Sequence, residues 1–257
     1  MRKIICVILT LFLAFSAAFA GYQIFREYSE RRESADTYTD LENLISFPED
    51  LPEKKPDETN SSESGETEPA PVGPTIDFAG LKEINDDCVA WIYIEDTAIN
   101  YPVVQGSDNS YYLNRDFNGE YSANGCLFLS EKCDLETSDN LIIYGHHMKD
   151  GTMFSGLTKY KKQEYYEAHS EGLLITPERT YTIEFFAGYV ASVEDPAWKI
   201  GFESEEDFDT WIKEAQKKSW FTSSLSPAVT DRILTLSTCS YEFDNARFVL
   251  LTIIVEM

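Results

Sequence analysis

The sequence is poor in basic residues, and this scarcity restricts the kind of partner that the protein can bind. Its 257 residues include 21 Lys and Arg against 45 Asp and Glu, which gives a formal net charge of −24 at pH 7. Nucleic-acid binding depends on Lys and Arg to neutralise phosphates, so we expect no nucleic-acid partner. An acidic excess of this kind is typical of a well-solvated protein surface.

Cysteine and histidine are also scarce, and their spacing excludes the common zinc sites. The five cysteines and three histidines include no C-x-x-C pair and no His pair separated by three to five residues. We therefore expect neither a metal nor another cofactor. Cys88 and Cys126 are interpreted as buried small apolar residues, while a disulfide bond between Cys126 and Cys133 is left open.

Long apolar runs are absent except at the N-terminus. Two basic residues there precede an uncharged, mainly apolar stretch over residues 4–25. As a helix it would span about 30 Å, the thickness of a bilayer hydrocarbon core. We predict that residues 1–25 form a membrane anchor and that the rest of the chain is extracytoplasmic. The alternative is a signal peptide cleaved after Ala18-Phe19-Ala20, which has the small-x-small pattern.

The next region lacks the apolar content of a folded domain. Residues 26–75 are strongly charged and become rich in Pro, Glu, Ser and Thr from residue 48 onward. Such a composition buries too little apolar surface to offset the entropy of ordering the chain. We predict a spacer here, with a helix that could continue through residues 27–47, and one folded domain over residues 76–257.

The domain is predicted to be mainly β. Its helices are expected at 77–86 and at 204–218, where Ser204 is an N-cap followed by acidic residues. Around eight strands and one inserted helix favour a closed β-barrel, although a sandwich has the same pattern. The predicted strands are short β-branched or aromatic segments between turn residues, namely 90–94, 98–104, 126–129, 140–144, 172–176, 181–193, 232–237 and 248–255.

Three of these strands carry reactive side chains at their ends. The strand 140–144 leads into the adjacent His146 and His147, and another strand ends close to Cys239. Arg247 follows eight residues later and opens the next strand, so we expect it to face Cys239 across a hairpin. A nearby imidazole increases the thiolate fraction of a cysteine, and a guanidinium is a permanent donor for an oxyanion.

These residues, in the order His, Cys, Arg, resemble the sortase family. The segment Tyr144–Phe154 (YGHHMKDGTMF), the strand Thr235–Cys239 (TLSTC) and the downstream Arg247 are similar to class B sortases in particular, as is the stretch 89–114. The resemblance covers roughly residues 77–257. It implies a sortase-type closed β-barrel of about eight strands, with an N-terminal helix and one inserted helix before the cysteine strand.

The resemblance also implies a two-step cysteine transpeptidation. Cys239 would attack the Thr carbonyl of a C-terminal sorting signal, similar to Asn-Pro-x-Thr-Asn, and His146 would act as acid and base. Arg247 would stabilise the oxyanion or position the substrate backbone. The partners implied are surface proteins that carry the signal and an amine of a cell-wall precursor or of peptidoglycan.

Two further residues are candidates for the substrate groove, and His147 is not selected for catalysis. Ser237 and Tyr144 lie two residues before Cys239 and His146, so they share a strand face with them. Each could equally be a packing residue. The family's Gly-His pattern selects His146 over His147 as the catalytic histidine.

Three other functions are compatible with parts of the pattern. A papain-like hydrolase usually places Cys before His, whereas here His comes first. A non-catalytic extracellular β-domain would leave the Cys239 and Arg247 arrangement unexplained. Within the family, a pilin-polymerising sortase would use the same chemistry with a lysine as the accepting amine.

Overall fold

A long helix precedes the β-domain in the computed structural model, which describes residues 2–47 and 73–257. Helix α1 (Arg2–Glu42) is followed by β1 (Ile45–Ser46), which pairs antiparallel with β2 (Thr75–Ile76). Leu41 and Ile45 are buried against the domain. Most of the predicted spacer, residues 48–72, lies outside the described residues, so the division of the chain at residue 76 stays a prediction.

None of the helices in the described part of the chain combines the length and the apolar content that a bilayer crossing needs.

Eight strands close into a barrel, which confirms the predicted fold class and excludes the sandwich. Their order around the barrel is β10-β8-β7-β3-β4-β5-β6-β9, with β9 and β10 closing the ring. Helix α2 (Phe78–Ile84) precedes the first of them. The strands are β3 (Cys88–Tyr93), β4 (Asn100–Val104), β5 (Leu127–Leu129), β6 (Asn140–Tyr144), β7 (Glu171–Ile175), β8 (Thr180–Ala191), β9 (Arg232–Cys239) and β10 (Arg247–Glu256).

The register of three strands brings the predicted site residues to one end of the barrel. β6 and β9 are parallel, with Tyr144 opposite Ser237, so their carboxyl ends lie together. β9 and β10 are antiparallel, with Cys239 opposite Arg247. The predicted hairpin neighbours are therefore paired residues, and the chain that follows β6 emerges beside them.

The inserted helix lies outside the barrel where the sequence predicts it. α4 (Glu205–Lys218) begins after Ser204, whose side chain accepts a hydrogen bond from Asp207 N at 3.2 Å. Its buried stripe packs on β8 and adjoining strands in a second apolar cluster, and comprises Phe208, Trp211, Ile212 and Ala215. A capped amphipathic helix thus covers one outer face of the sheet.

Several short helices have no counterpart in the sequence prediction. They are the 3₁₀ helices Tyr111–Asn114, Phe154–Lys161 and Pro196–Trp198, and helix α3 (Gln163–Ala168). Each is too short for a clear apolar period of 3.6 residues. The segment 154–161 nevertheless fills one region of the barrel core, because Phe154, Leu157 and Tyr160 are fully buried.

The cysteines of the domain form no disulfide bond. Cys88, Cys126 and Cys133 are free and buried, and Cys239 is free and partly exposed. The bridge left open between Cys126 and Cys133 is therefore not formed. The interpretation of Cys88 and Cys126 as buried apolar residues is confirmed, since they are 0% and 2% exposed.

Candidate active site

Gly145 places the histidine that follows β6 beside the end of β9. Its N–H donates to Ser237 O at 3.0 Å and so continues the contact between the two parallel strands. A Cβ at Gly145 would lie 2.3 Å from Leu127 Cδ2 and 2.7 Å from the Phe154 ring. Only glycine fits against this core without a shift of its neighbours, and the next residue, His146, is thereby held at the barrel rim.

Two neighbours of the His146 ring define its chemistry. The ring lines the same cavity as Cys239 and is close enough to shift the pKa of its thiol. Its Nε2 lies 2.6 Å from Leu113 O. A carbonyl oxygen can only accept, so Nε2 carries a proton in this contact, and Nδ1 is the lone-pair nitrogen of the neutral ring. The carbonyl thus selects the tautomer, as an orienting group does for a catalytic histidine.

The pKa values of these two side chains move in opposite directions. The hydrogen bond with His146 is the main cause that lowers the pKa of the Cys239 thiol; burial opposes it, and Arg247 lowers it further. The hydrogen bond with Cys239 is the main cause that raises the pKa of His146, helped by Leu113 O and opposed by burial and Arg247. Both directions favour a thiolate beside an imidazolium, and the two groups titrate as a coupled pair.

Arg247 supplies a cation next to the thiol. It is half-buried and stands opposite Cys239 in the β9–β10 ladder, and its Nη1 donates to Ala246 O at 3.0 Å. Among the residues that the structure describes, no carboxylate forms an ion pair with it, although 45 acidic residues are present in the chain. Its remaining donors are therefore available for an anion that forms near Cys239.

His147 contacts the backbone of Cys239. Its Nδ1 lies 3.0 Å from the backbone oxygen of Cys239, and its ring meets Tyr241 edge-on with centroids 5.3 Å apart. His146 lines the cavity at Cys239, whereas His147 does not. The geometry therefore favours His146 as the partner of the thiol.

All five residues singled out from the sequence line one cavity of about 230 Å³. Ser237 is 2% exposed and its Oγ accepts a hydrogen bond from Trp198 Nε1 at 3.1 Å. The Tyr144 ring packs on Phe128 at 5.3 Å. The complete lining is Asn109, Leu113, Phe128, Tyr144, Gly145, His146, Ser237, Thr238, Cys239 and Arg247.

The sequence reasoning missed the contribution of Leu113. Its carbonyl orients His146, and a backbone contact between residues 33 positions apart leaves no side-chain signature.

No group of three or more His, Cys, Asp or Glu within residues 2–47 and 73–257 is arranged to hold a metal ion.

Cys239 differs electrostatically from the other thiols of the domain. Burial raises the pKa of Cys88 and of Cys126 to about 12, and it raises the pKa of Cys133 as well. Among the cysteines described, Cys239 alone has a lowered pKa. A thiolate is the nucleophilic form of cysteine, so the reactive thiol is at the cavity.

Several known proteins are similar to this chain in sequence and in architecture. A family model described as a sortase domain matches residues 92–255. Sortase B of Staphylococcus aureus is 36% identical over 183 residues, which cover 70% of this chain and 75% of that protein. A structure of the S. aureus sortase B–substrate complex aligns with a TM-score of 0.67 at 36% identity, over 70% of this chain and 85% of the other. The structure of sortase B from B. anthracis aligns with a TM-score of 0.71 at 29% identity, over 91% of this chain and 100% of the other.

The family match extends over most of the barrel, from β3 to β10, and includes the three strand ends that form the cavity. The chain therefore belongs to the sortase family and is a cysteine transpeptidase of the class B type.

Proposed function

We propose that this sortase cleaves a C-terminal sorting signal similar to Asn-Pro-x-Thr-Asn after its Thr and transfers the protein to an amine of the cell-wall peptide. The observation that carries the proposal is the arrangement of Cys239, which lines one cavity with His146 and Arg247 and stands opposite Arg247 in the β9–β10 ladder. The sorting signal and the accepting amine are taken from the likeness to class B sortases.

The first half of the reaction forms a thioacyl-enzyme. The Cys239 thiolate attacks the Thr carbonyl carbon, and the carbonyl oxygen becomes an oxyanion beside the Arg247 guanidinium. Charge-assisted hydrogen bonds from a fixed cation stabilise such an oxyanion more than the neutral carbonyl, so they lower the barrier. The tetrahedral intermediate then expels the amine of the next residue, which takes a proton from the His146 imidazolium.

The second half transfers the acyl group. His146 is now neutral, and its lone-pair nitrogen accepts a proton from the incoming amine as that amine attacks the thioester carbonyl. The intermediate collapses to the new amide and the Cys239 thiolate, and the imidazolium is restored. The Leu113 carbonyl keeps Nε2 protonated throughout, so the same ring nitrogen faces the reaction in both steps.

Substrate binding and cellular location follow from the same proposal. Tyr144 and Ser237 would line the groove that holds the sorting signal, and residues 1–25 would attach the enzyme to the cell membrane with the barrel outside. Attachment is tested by fractionation of cells that express the full chain. The protein should sediment with membranes and be released by detergent but not by high salt, and recovery in the soluble fraction would contradict it.

The nucleophile and the sorting signal can be tested together. We expect the full-length protein, incubated with a library of peptides that vary around Asn-Pro-x-Thr-Asn, to accumulate a thioacyl adduct on Cys239 that mass spectrometry detects. Added amine should convert the adduct to the transfer product. Cys239→Ala should abolish both, while Cys133→Ala, which removes a buried thiol of raised pKa, should retain them. Transfer that persists in Cys239→Ala would remove the proposal.

A further inference from the structure

The last turn of α1 contacts the domain through a tyrosine whose hydroxyl is directed at a loop of the barrel. The Tyr38 hydroxyl donates to Gly125 O at 2.9 Å, and its ring meets Tyr101 edge-on at 5.2 Å. Three residues further on, Leu41 is 3% exposed in the core. This end of α1 is therefore packed on the barrel, and the hydrogen bond links residues 87 positions apart in the sequence.

Gly125 in turn lies against the catalytic histidine. Its φ of 62° is in the left-handed region. A Cβ there would lie 2.7 Å from Tyr112 O, 2.9 Å from Leu113 O and 3.1 Å from His146 Cδ2. The space beside Gly125 is thus too small for a side chain, because the His146 ring and the carbonyl that orients it lie next to it, and a displacement of Gly125 changes the space available to both.

The Leu113 carbonyl is positioned by the hydrogen bonds that hold its 3₁₀ helix, Tyr111–Asn114. The Leu113 side chain is 41% exposed. The short 3₁₀ helix that contains it is held by the N–H of Cys126, which follows Gly125 and donates to Tyr112 O at 3.0 Å, and by the N–H of Ser122, which donates to Asn114 O at 3.0 Å. The Tyr112 hydroxyl adds a third support, since it donates to Asp87 at 2.7 Å. The first of these supports belongs to the peptide segment that Tyr38 fixes.

We propose that Tyr38 is a positioning residue for His146, which acts by fixing Gly125 and thereby holding the Leu113 carbonyl against Nε2. The end of α1, outside the barrel, is then part of the support of the active site. This inference rests on the roles proposed above for His146 and Cys239. It predicts that the removal of one hydroxyl at the end of α1 changes the reactivity of a thiol on β9.

The direction of the effect follows from the groups around His146. The titratable or charged groups that act on it are Cys239 of β9 and Arg247 of β10, and the 3₁₀ helix contributes the neutral Leu113 carbonyl. When the Leu113 carbonyl is held less firmly, its hydrogen bond stabilises the imidazolium form of His146 less. The imidazolium then stabilises the Cys239 thiolate less, so the pKa of the thiol rises and its alkylation requires a higher pH.

The test is the pH dependence of iodoacetamide alkylation at Cys239, followed by mass spectrometry of its peptide in the full chain. In Tyr38→Phe, which keeps the ring, we expect the midpoint to move to higher pH and the rate at pH 6 to fall about threefold, as for the partial loss of one hydrogen bond. Gly125→Ala should move the midpoint further in the same direction. The matched control is Tyr160→Phe, which also removes a tyrosine hydroxyl that donates to a backbone carbonyl, His169 O at 2.8 Å, and should leave the midpoint unchanged.

The outcomes separate this inference from the proposed function, because alkylation needs no peptide substrate. A wild-type midpoint no lower than that of a free thiol would contradict the activated Cys239 on which both depend. A low wild-type midpoint that Tyr38→Phe and Gly125→Ala leave unchanged would overturn only the role of Tyr38. An equal shift in Tyr160→Phe would also overturn it, since the effect would then be a general loosening of the fold.

Discussion

At the scale of single residues, the reactivity of Cys239 depends on His146 more than on any other neighbour. The hydrogen bond between them is the largest cause that lowers the pKa of the thiol, ahead of the charge of Arg247. The same bond raises the pKa of His146. Both directions increase the fraction of the thiolate–imidazolium pair, and activity should rise with pH as the thiol ionises and fall as the imidazolium loses its proton.

The contribution of His146 can be measured by its replacement with a neutral residue. In His146→Gln we expect the alkylation midpoint of Cys239 to move to higher pH and the rate at pH 6 to fall roughly tenfold, as for the loss of one hydrogen bond to a charged group. Transfer activity should be lost as well, because no group remains to move the proton. His147→Gln is the matched control and should change the midpoint little. Equal losses in the two variants would contradict the choice of His146.

At the scale of elements, the loop between β9 and β10 is held by an ion pair with the 3₁₀ helix 154–161. Lys161 pairs with Glu242 and lies 3.3 Å from Ser240 Oγ, and Ser240 also donates to Glu242. Burial raises the pKa of Glu242, but the hydrogen bonds from Lys161 and Ser240 outweigh it and bring the pKa to about 2. The loop that directly follows Cys239 is thus fixed by a carboxylate that stays ionised in weak acid.

This ion pair should give a characteristic pH dependence of stability. Because the folded pKa of Glu242 is depressed, its contribution is present above the unfolded pKa of about 4.3 and is lost as the pH falls toward 2. Glu242→Gln should therefore lower the free energy of unfolding in urea at pH 7, by about 1 kcal/mol at most since the carboxylate is partly exposed. The difference from wild type should shrink below pH 4.

Glu214→Gln is the control for this prediction, since its ion pair with Lys217 is 3.6 Å long and well exposed. It should leave the urea midpoint unchanged at either pH. A Glu242→Gln difference that is independent of pH would show that the loss does not come from the ionised carboxylate.

How much the sequence could predict also differs between elements. The eight strands and α4 were predictable because apolar alternation and an N-cap are local signals. Strand ends indicated Cys239, Arg247 and the adjacent histidines, of which the resemblance to sortases selected His146. The 3₁₀ helix 154–161 was missed because a segment of eight residues carries no clear period. The Leu113 carbonyl and the contact of Tyr38 with Gly125 could not be predicted, since both are contacts with the backbone across more than 30 residues.

At the scale of the whole molecule, a buried polar group joins parts of the barrel that are distant in sequence. Asn140 of β6 is 0% exposed, and its Oδ1 accepts a hydrogen bond from Thr235 of β9 at 2.9 Å. Its Nδ2 donates to Lys199 O at 2.9 Å, and its N–H donates to Ile200 O at 3.0 Å. One side chain thus links two parallel strands and the segment before α4, at the end of the barrel opposite to Cys239.

The strength of this link can be separated from the general cost of altering a buried threonine. Thr235→Val removes the donor and leaves Asn140 Oδ1 as a buried acceptor without a partner, so the free energy of unfolding should fall by about 1–3 kcal/mol. Thr252 of β10 is the matched control, since it is equally buried and its hydroxyl has no hydrogen-bond partner within the described part of the chain. Thr252→Val should be neutral or stabilising, because it removes a polar group that is buried at a cost. Urea unfolding of the two variants at pH 7 measures both effects, and a loss in Thr252→Val as large as that in Thr235→Val would mean that the hydrogen bond to Asn140 does not hold the barrel together.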